Sequence, residues 1–97
     1  MTGEPALTQA ALGRLLAELP NWATDGAALV RVDEATSFSA AVAWIVAVAQ
    51  VAEAMDHHPD IDLRYRKVTW RLSTHSVGAI TALDIQLARR INDIVNV

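Results

Sequence analysis

Residues 53–59 read Glu-Ala-Met-Asp-His-His-Pro and stand at the end of a long apolar segment. Proline disfavours helical dihedral angles in the residue before it, so a helix that arrives from the N-terminal side should end near His57. Imidazolium is favoured at a helix C-terminus, and histidine titrates near neutral pH. The stretch therefore predicts a helix end that carries two adjacent titratable rings.

Two interpretations of this stretch are open. Glu53 lies four residues before His57, so in a helical last turn the two side chains would share one face. A carboxylate within reach would orient the ring and hold its proton, which makes the stretch a candidate acid/base site. In the other interpretation it is a polar helix end, and Glu53 and Asp56 are solvated charges. The rest of the chain has to distinguish between them.

The composition is that of one small globular domain. Of 97 residues, 53% are hydrophobic and 20% are charged, so we expect a single domain over residues 1–97 with a flexible end at 1–6. The net charge is −3, and the basic clusters at 64–67 and 89–90 are explained by a strand and a helix end. Direct binding of nucleic acid is therefore not expected.

The chain contains no cysteine, which excludes disulfides, thiolate nucleophiles and cysteine-based zinc sites. Its N-terminus lacks the basic and apolar regions of a signal peptide. The apolar run 40–49 is too short to cross a bilayer by itself. We expect a cytoplasmic protein that does not contact membranes.

The first third of the chain predicts a helix followed by a hairpin. Thr8 can cap a helix whose leucines recur at helical spacing until Pro20 ends it. Trp22 begins a short strand, Asp25-Gly26 is a turn signal, and a second strand covers 28–35. Trp22 is either a core residue or the wall of a ligand pocket.

The central helix is apolar on all sides. Ser37 can cap it, it is predicted over 38–56, and no polar residue occurs between positions 40 and 49. Such a helix has to be covered all round. One stripe can lie on the sheet, and we expect the other to meet a copy of the chain in a homodimer or homotetramer. Coverage by the other two helices is the alternative.

Two more strands and a helix complete the pattern. Alternation predicts strands over 61–65 and around 68–72, and His75 follows where the last strand ends. Taken alone, His75 is better explained as a surface histidine than as a catalytic one. Thr81 and Asp84 resemble a capping box, and Asp84 also falls on the inward face of the last helix, where it could hold a histidine. The order α-β-β-α-β-β-α predicts an α+β fold, a four-stranded antiparallel sheet with helices packed on one face.

These motifs follow one another in an order that resembles the pterin-4a-carbinolamine dehydratase family, also known as the dimerisation cofactor of a homeodomain transcription factor. The resemblance extends from about Leu19 to Ile94. It rests on Glu53 with His57-His58-Pro59, then Tyr65, then Ser73-Thr74-His75, and finally Gly78 with Asp84.

The resemblance implies a hydro-lyase. The substrate would be a 4a-hydroxytetrahydropterin of the 4a-hydroxytetrahydrobiopterin type, which loses water to give the quinonoid dihydropterin in recycling of the pterin cofactor. Positioned imidazoles can supply one proton and take the other, because their pKa lies near working pH. The resemblance implies no metal and no cofactor, since the pterin is the substrate.

The resemblance also assigns roles to residues. His58 would lie against the pterin near N5 and the hydroxyl, and His57 and His75 would act as acids on its two faces. The supporting residues would be Glu53, Asp56 and Asp84, and the substrate-binding residues would be Trp22, Pro59, Ser73 and Thr74.

Two other functions are compatible with parts of the pattern. A family member of this size can serve as a non-catalytic oligomeric scaffold or coactivator-like partner, because a fold does not fix a function. A metal site built from His57, His58, His75 and Asp84 is disfavoured. Adjacent residues at a helix end diverge by about a hundred degrees, so two neighbouring rings rarely reach one ion.

Overall fold

A computed structural model describes residues 5–96, in which three helices and four strands follow the predicted order α-β-β-α-β-β-α. The helices are α1 (Gln9–Leu16), α2 (Phe38–Met55) and α3 (Ala82–Val95). The strands are β1 (Ala23–Thr24), β2 (Leu29–Glu34), β3 (Asp60–Arg64) and β4 (Lys67–Leu72). The predicted α+β fold is confirmed. The expected flexible end lies mostly outside the described residues, and Ala6 forms an isolated antiparallel bridge with Thr81.

The four strands form one antiparallel sheet in the order β1-β2-β4-β3. Trp70 of β4 pairs with Arg31 of β2 on one side and with Ile61 of β3 on the other. Alternation puts Val68, Trp70 and Leu72 on the same face, and all three are buried. This face carries the core, as the strand pattern predicted.

Helices α2 and α3 provide the other half of the core. Leu87 and Ile91 of α3 are completely buried, and so is Val48 of α2. The opposite side of α2 remains open, because Phe38 and Val46 are each about half exposed at 52% and 53%. Within the described chain α2 therefore has one covered and one uncovered apolar stripe.

By length and composition, α2 is also the one helix among residues 5–96 that could cross a membrane. The ten-residue run considered from the sequence is shorter than the helix that contains it, which has 18 residues. A single helix of this kind is a weak indication, because core helices of globular proteins meet the same criterion. The buried residues of α2 are Ala41, Val48 and Ala52.

Helix α1 ends earlier than its leucine pattern predicted. Thr8 caps it by accepting from the backbone N–H of Ala11, as expected. Its last residue is Leu16, although the apolar spacing continues to Leu19. Pro20 disfavours helical dihedral angles at Leu19, and the chain tightens into i→i+3 hydrogen bonds before it. Leu19 is nevertheless 1% exposed, so the spacing identified a core residue outside the helix.

Candidate functional site

The C-terminal end of α2 sets the position of both adjacent histidines. Asp56 adopts a left-handed conformation with φ of 51°. Its N–H donates to the carbonyl of Glu53, and the N–H of His57 donates to that of Ala52. This pair of bonds is a Schellman motif, which ends a helix and turns the chain away from its axis. His57 and His58 therefore stand outside the helix.

His57 forms a buried pair with Asp84 at the start of α3. Its Nε2 lies 2.6 Å from Asp84 Oδ1, and His57 is 8% exposed while Asp84 is completely buried. A carboxylate accepts hydrogen bonds, so a proton on Nε2 is held between the two groups. This arrangement leaves Nδ1 as the ring nitrogen that the carboxylate does not occupy. The sequence pattern allowed Asp84 to hold a histidine, and the structure shows that this histidine is His57.

Asp84 is itself held on its second oxygen. Oδ2 accepts from the Thr74 hydroxyl and from the Thr81 backbone N–H, each at 2.9 Å. Thr81 is the N-cap of α3, and Asp84 completes the predicted capping box. The same carboxylate therefore caps a helix and orients a histidine.

His58 contacts the carboxylate that the sequence spacing had predicted for its neighbour His57. Its Nε2 lies 2.5 Å from Glu53 Oε2, and both side chains are exposed. The proposed sharing of one helical face by Glu53 and His57 is wrong, because the left-handed turn at Asp56 takes His57 off that face. Glu53 orients His58 instead.

His75 lies near a third carboxylate. Its Nε2 is 3.9 Å from Asp60 Oδ2, and both side chains are exposed. Asp60 begins β3 and pairs with Arg71 of β4, so the strand pairing brings it beside the end of β4. Sequence reasoning missed Asp60. The available signal was its place directly after the His-His-Pro motif, at the start of a strand that pairs with the one leading to His75.

The surroundings of the three histidines are connected through neighbouring residues. Thr74, which holds the partner of His57, is adjacent to His75 in the chain. Asp60, which faces His75, follows His58 by two residues. The result is one buried and two exposed histidine–carboxylate pairs, an arrangement suited to giving and taking protons.

The other predicted site residues have mixed positions. Pro59 and Ser73 are half-buried beside the histidines in the chain, and Asp56 is exposed at the helix end. Trp22 is 5% exposed in the core, and its indole N–H donates to Asn92 Oδ1 at 2.8 Å, in the last two turns of α3. Residues 5–96 show no hydrogen bond between Trp22 and a histidine.

The metal set considered from the sequence is not assembled. Across residues 5–96, no group of three or more histidine, aspartate or glutamate side chains could hold a metal ion. The histidines are instead distributed among separate carboxylates, with Asp84 on His57, Glu53 on His58 and Asp60 on His75.

Comparison with known proteins gives the family. The model of the family described as pterin 4 alpha carbinolamine dehydratase matches residues 5–94. A Nocardia farcinica protein named as a pterin-4-alpha-carbinolamine dehydratase is 46% identical over 88 residues, covering 91% of this chain and 93% of the relative. A Mesorhizobium japonicum protein of the same name is 47% identical and covers 89% of this chain and 90% of its own length.

Solved structures agree with this assignment. A transcriptional coactivator/pterin dehydratase from Brucella melitensis superposes with a TM-score of 0.90 at 35% identity, covering 94% of this chain and 99% of that one. A pterin dehydratase-like protein identified as a RuBisCO assembly factor in the alpha-carboxysome shares the fold, with a TM-score of 0.62 at 19% identity, covering 76% and 86%. With matches over nearly its whole length, the chain belongs to the pterin 4 alpha carbinolamine dehydratase family, as its motifs predicted.

Proposed function

We propose that the chain dehydrates a 4a-hydroxytetrahydropterin of the 4a-hydroxytetrahydrobiopterin type to the quinonoid dihydropterin. Its family and its relatives' names support a hydro-lyase. The observation that carries the finer proposal is the assignment of a separate carboxylate to each of the three histidines. In cells the reaction would serve recycling of the pterin cofactor.

The chemistry requires one proton to be given and one to be taken. The bond between C4a and the hydroxyl oxygen breaks, the hydroxyl leaves as water after receiving a proton, and N5 loses its proton as the C4a–N5 double bond forms. No net oxidation occurs, so the proposal needs neither a metal nor a redox cofactor. Imidazoles can perform both transfers near neutral pH.

The proposed roles follow from the carboxylate that orients each ring. His58 is exposed and oriented by Glu53, so it can lie against the pterin near N5 and the hydroxyl. His57 offers Nδ1 because Asp84 occupies Nε2, and His75 is exposed beside Asp60. We propose that His57 and His75 are the acids on the two faces of the substrate, one for each C4a configuration.

Binding of the pterin is proposed to use the backbone beside the histidines. Pro59 and Ser73 adjoin His58 and Thr74 and are half-buried. The backbone N–H of Thr74 donates to the carbonyl of Ala79, and its side chain is directed to Asp84. Ser73 is therefore a better candidate than Thr74 for direct contact with the flat pterin edge.

The test is the dehydration rate of freshly generated 4a-hydroxytetrahydropterin. We expect the wild-type chain to accelerate it and His58→Ala to lose at least about 100-fold in kcat, since a positioned acid/base group contributes that order of magnitude. Arg14→Ala, an exposed change on α1, should keep the wild-type rate. A folded wild-type chain that gives no acceleration would overturn the proposal.

We also propose that two or four copies assemble through α2. Phe38, Val42 and Val46 form an exposed apolar stripe on this helix, and stripes of this kind are usually covered in solution. We place the protein in the cytoplasm because its substrate class and its lack of cysteine suit that compartment.

A second candidate is a non-catalytic role as an assembly or coactivator-like partner. The exposed α2 stripe would favour it, and the Brucella melitensis structure is named as both coactivator and dehydratase. The dehydration assay separates the two roles. A chain that binds a partner without accelerating dehydration would have this role alone.

A further inference from the structure

The hydroxyls of Thr74 and Thr81 form a buried hydrogen-bond chain that leads to the His57–Asp84 pair. The two oxygens lie 2.7 Å apart, Thr74 is 5% exposed, and Thr81 and Asp84 are completely buried. Each hydroxyl has one proton to donate, so the direction of every bond in the chain can be worked out.

The direction is fixed from the Asp84 end. A carboxylate only accepts hydrogen bonds, so the Thr74 hydroxyl must donate its single proton to Asp84 Oδ2. The bond between the hydroxyls then requires Thr81 to donate to Thr74. The Thr81 oxygen accepts in turn from the backbone N–H of Leu83 at 3.2 Å. The chain therefore runs in one direction, from the first turn of α3 to the carboxylate.

We propose that Thr74 and Thr81 are positioning residues that fix Asp84 on His57 and so select the ring tautomer used in catalysis. With Oδ2 bound by Thr74 and by the Thr81 backbone, Oδ1 is left directed at His57 Nε2. One proton is then held on Nε2, so the proton that His57 gives as an acid is taken up at Nδ1 and donated from there to the substrate. This inference rests on the proposed dehydration, but its structural part can be tested without substrate.

The variants are Thr74→Val and Thr81→Val, which keep the side-chain shape and remove the hydroxyl. Thr74→Val leaves the N-cap of α3 in place, so it remains informative if Thr81→Val fails to fold. Thr74→Ser and Thr81→Ser restore the hydroxyl. Thr8→Val is the matched control, because it removes the capping hydroxyl of α1, which accepts from the backbone N–H of Ala11 in its own helix.

The first readout is the ¹⁵N NMR signal of the His57 ring in the free protein, which reports which nitrogen carries the proton. We expect the Nε2–H form in the wild type, the serine variants and Thr8→Val. We expect a mixture with the Nδ1–H form in folded Thr74→Val or Thr81→Val. An unchanged tautomer in a folded valine variant would overturn the inference.

The second readout is the dehydration rate. We expect kcat to fall about 10-fold in the valine variants with KM within about 2-fold of wild type, because a positioning defect acts on the reacting geometry. The serine variants should recover most of kcat. If the wild type proves inactive while the tautomer still shifts, the proposed function fails and the positioning role stands. If the wild type is active and the folded valine variants are equally active, the proposed function stands and the positioning role in catalysis fails.

Discussion

The backbone conformation of Asp56 decides which carboxylate each histidine meets. A spacing of four residues between Glu53 and His57 implies a shared face only while the helix continues. The left-handed turn at Asp56 ends it first, so Glu53 meets His58 and His57 reaches Asp84. The sequence could identify the histidines as a group, because they end predicted elements. It could not pair them, since one backbone angle outside the periodic pattern controls the pairing.

Asp84→Asn tests the buried pair at the scale of one residue. The amide has nearly the same shape but carries no charge, and it would bring two donors to a site that now accepts from three groups. We expect the free energy of unfolding to fall by about 1–3 kcal/mol. We expect kcat for dehydration to fall at least about 10-fold. Urea unfolding and the dehydration assay measure the two effects.

Asp93→Asn is the control for that change, because Asp93 is an exposed carboxylate on the same helix. It should leave both stability and rate close to wild type. If Asp84→Asn were as active as Asp93→Asn, Asp84 would serve only as the cap of α3.

At the scale of elements, the β1–β2 turn contains a carboxylate, Asp25, whose pKa is lowered. The Arg71 guanidinium donates to Asp25 Oδ2 at 2.6 Å, and the backbone N–H groups of Ala27 and Ala28 donate to Oδ1. The hydrogen bond from Arg71 is the largest cause that lowers the pKa of Asp25 from 3.8 to about 2. Asp25 therefore ties the hairpin turn to β4 through its charge.

This lowered pKa predicts a pH dependence of stability. A carboxyl group whose pKa is lower in the folded state stabilises the fold fully above its unfolded value of 3.8. That contribution is lost as the pH falls through about 2. We expect wild type to have a higher Tm than Asp25→Asn at pH 6, with the difference shrinking between pH 4 and pH 2. A difference that is constant over this range would show that the charge of Asp25 does not contribute.

The elements themselves were largely predictable, and their ends were not. Helical spacing and strand alternation follow from which side chains are buried, and both patterns are visible in the local sequence. The end of α1 depends on how Pro20 restricts Leu19, and the end of α2 depends on a left-handed residue. Asp60 was missed for a related reason. Its contact with His75 arises from the pairing of β3 with β4, which no local pattern contains.

At the scale of the whole molecule, the open stripe of α2 predicts assembly. Val46 is 53% exposed, so Val46→Asp should leave the protomer folded while placing a charge in the proposed interface. We expect the dissociation constant of the oligomer to rise at least about 100-fold, because a buried unpaired charge at an interface centre is costly. Sedimentation velocity measures the change.

Val32→Asp is the matched control, since Val32 is equally exposed at 54% but lies on β2. It should leave the oligomer intact if α2 is the contact. If both variants dissociate the oligomer equally, the contact is not specific to α2. A monomeric wild type would contradict the proposed assembly.

We propose that the three histidine–carboxylate pairs act as one site on a pterin carbinolamine. The most direct measurement is the progress curve of dehydration for a substrate that contains both C4a configurations. We expect one fast phase for the wild type, a fast and a slow phase for His57→Ala or His75→Ala, and only slow dehydration in the double variant. A double variant that dehydrates the whole substrate as fast as the wild type would contradict it.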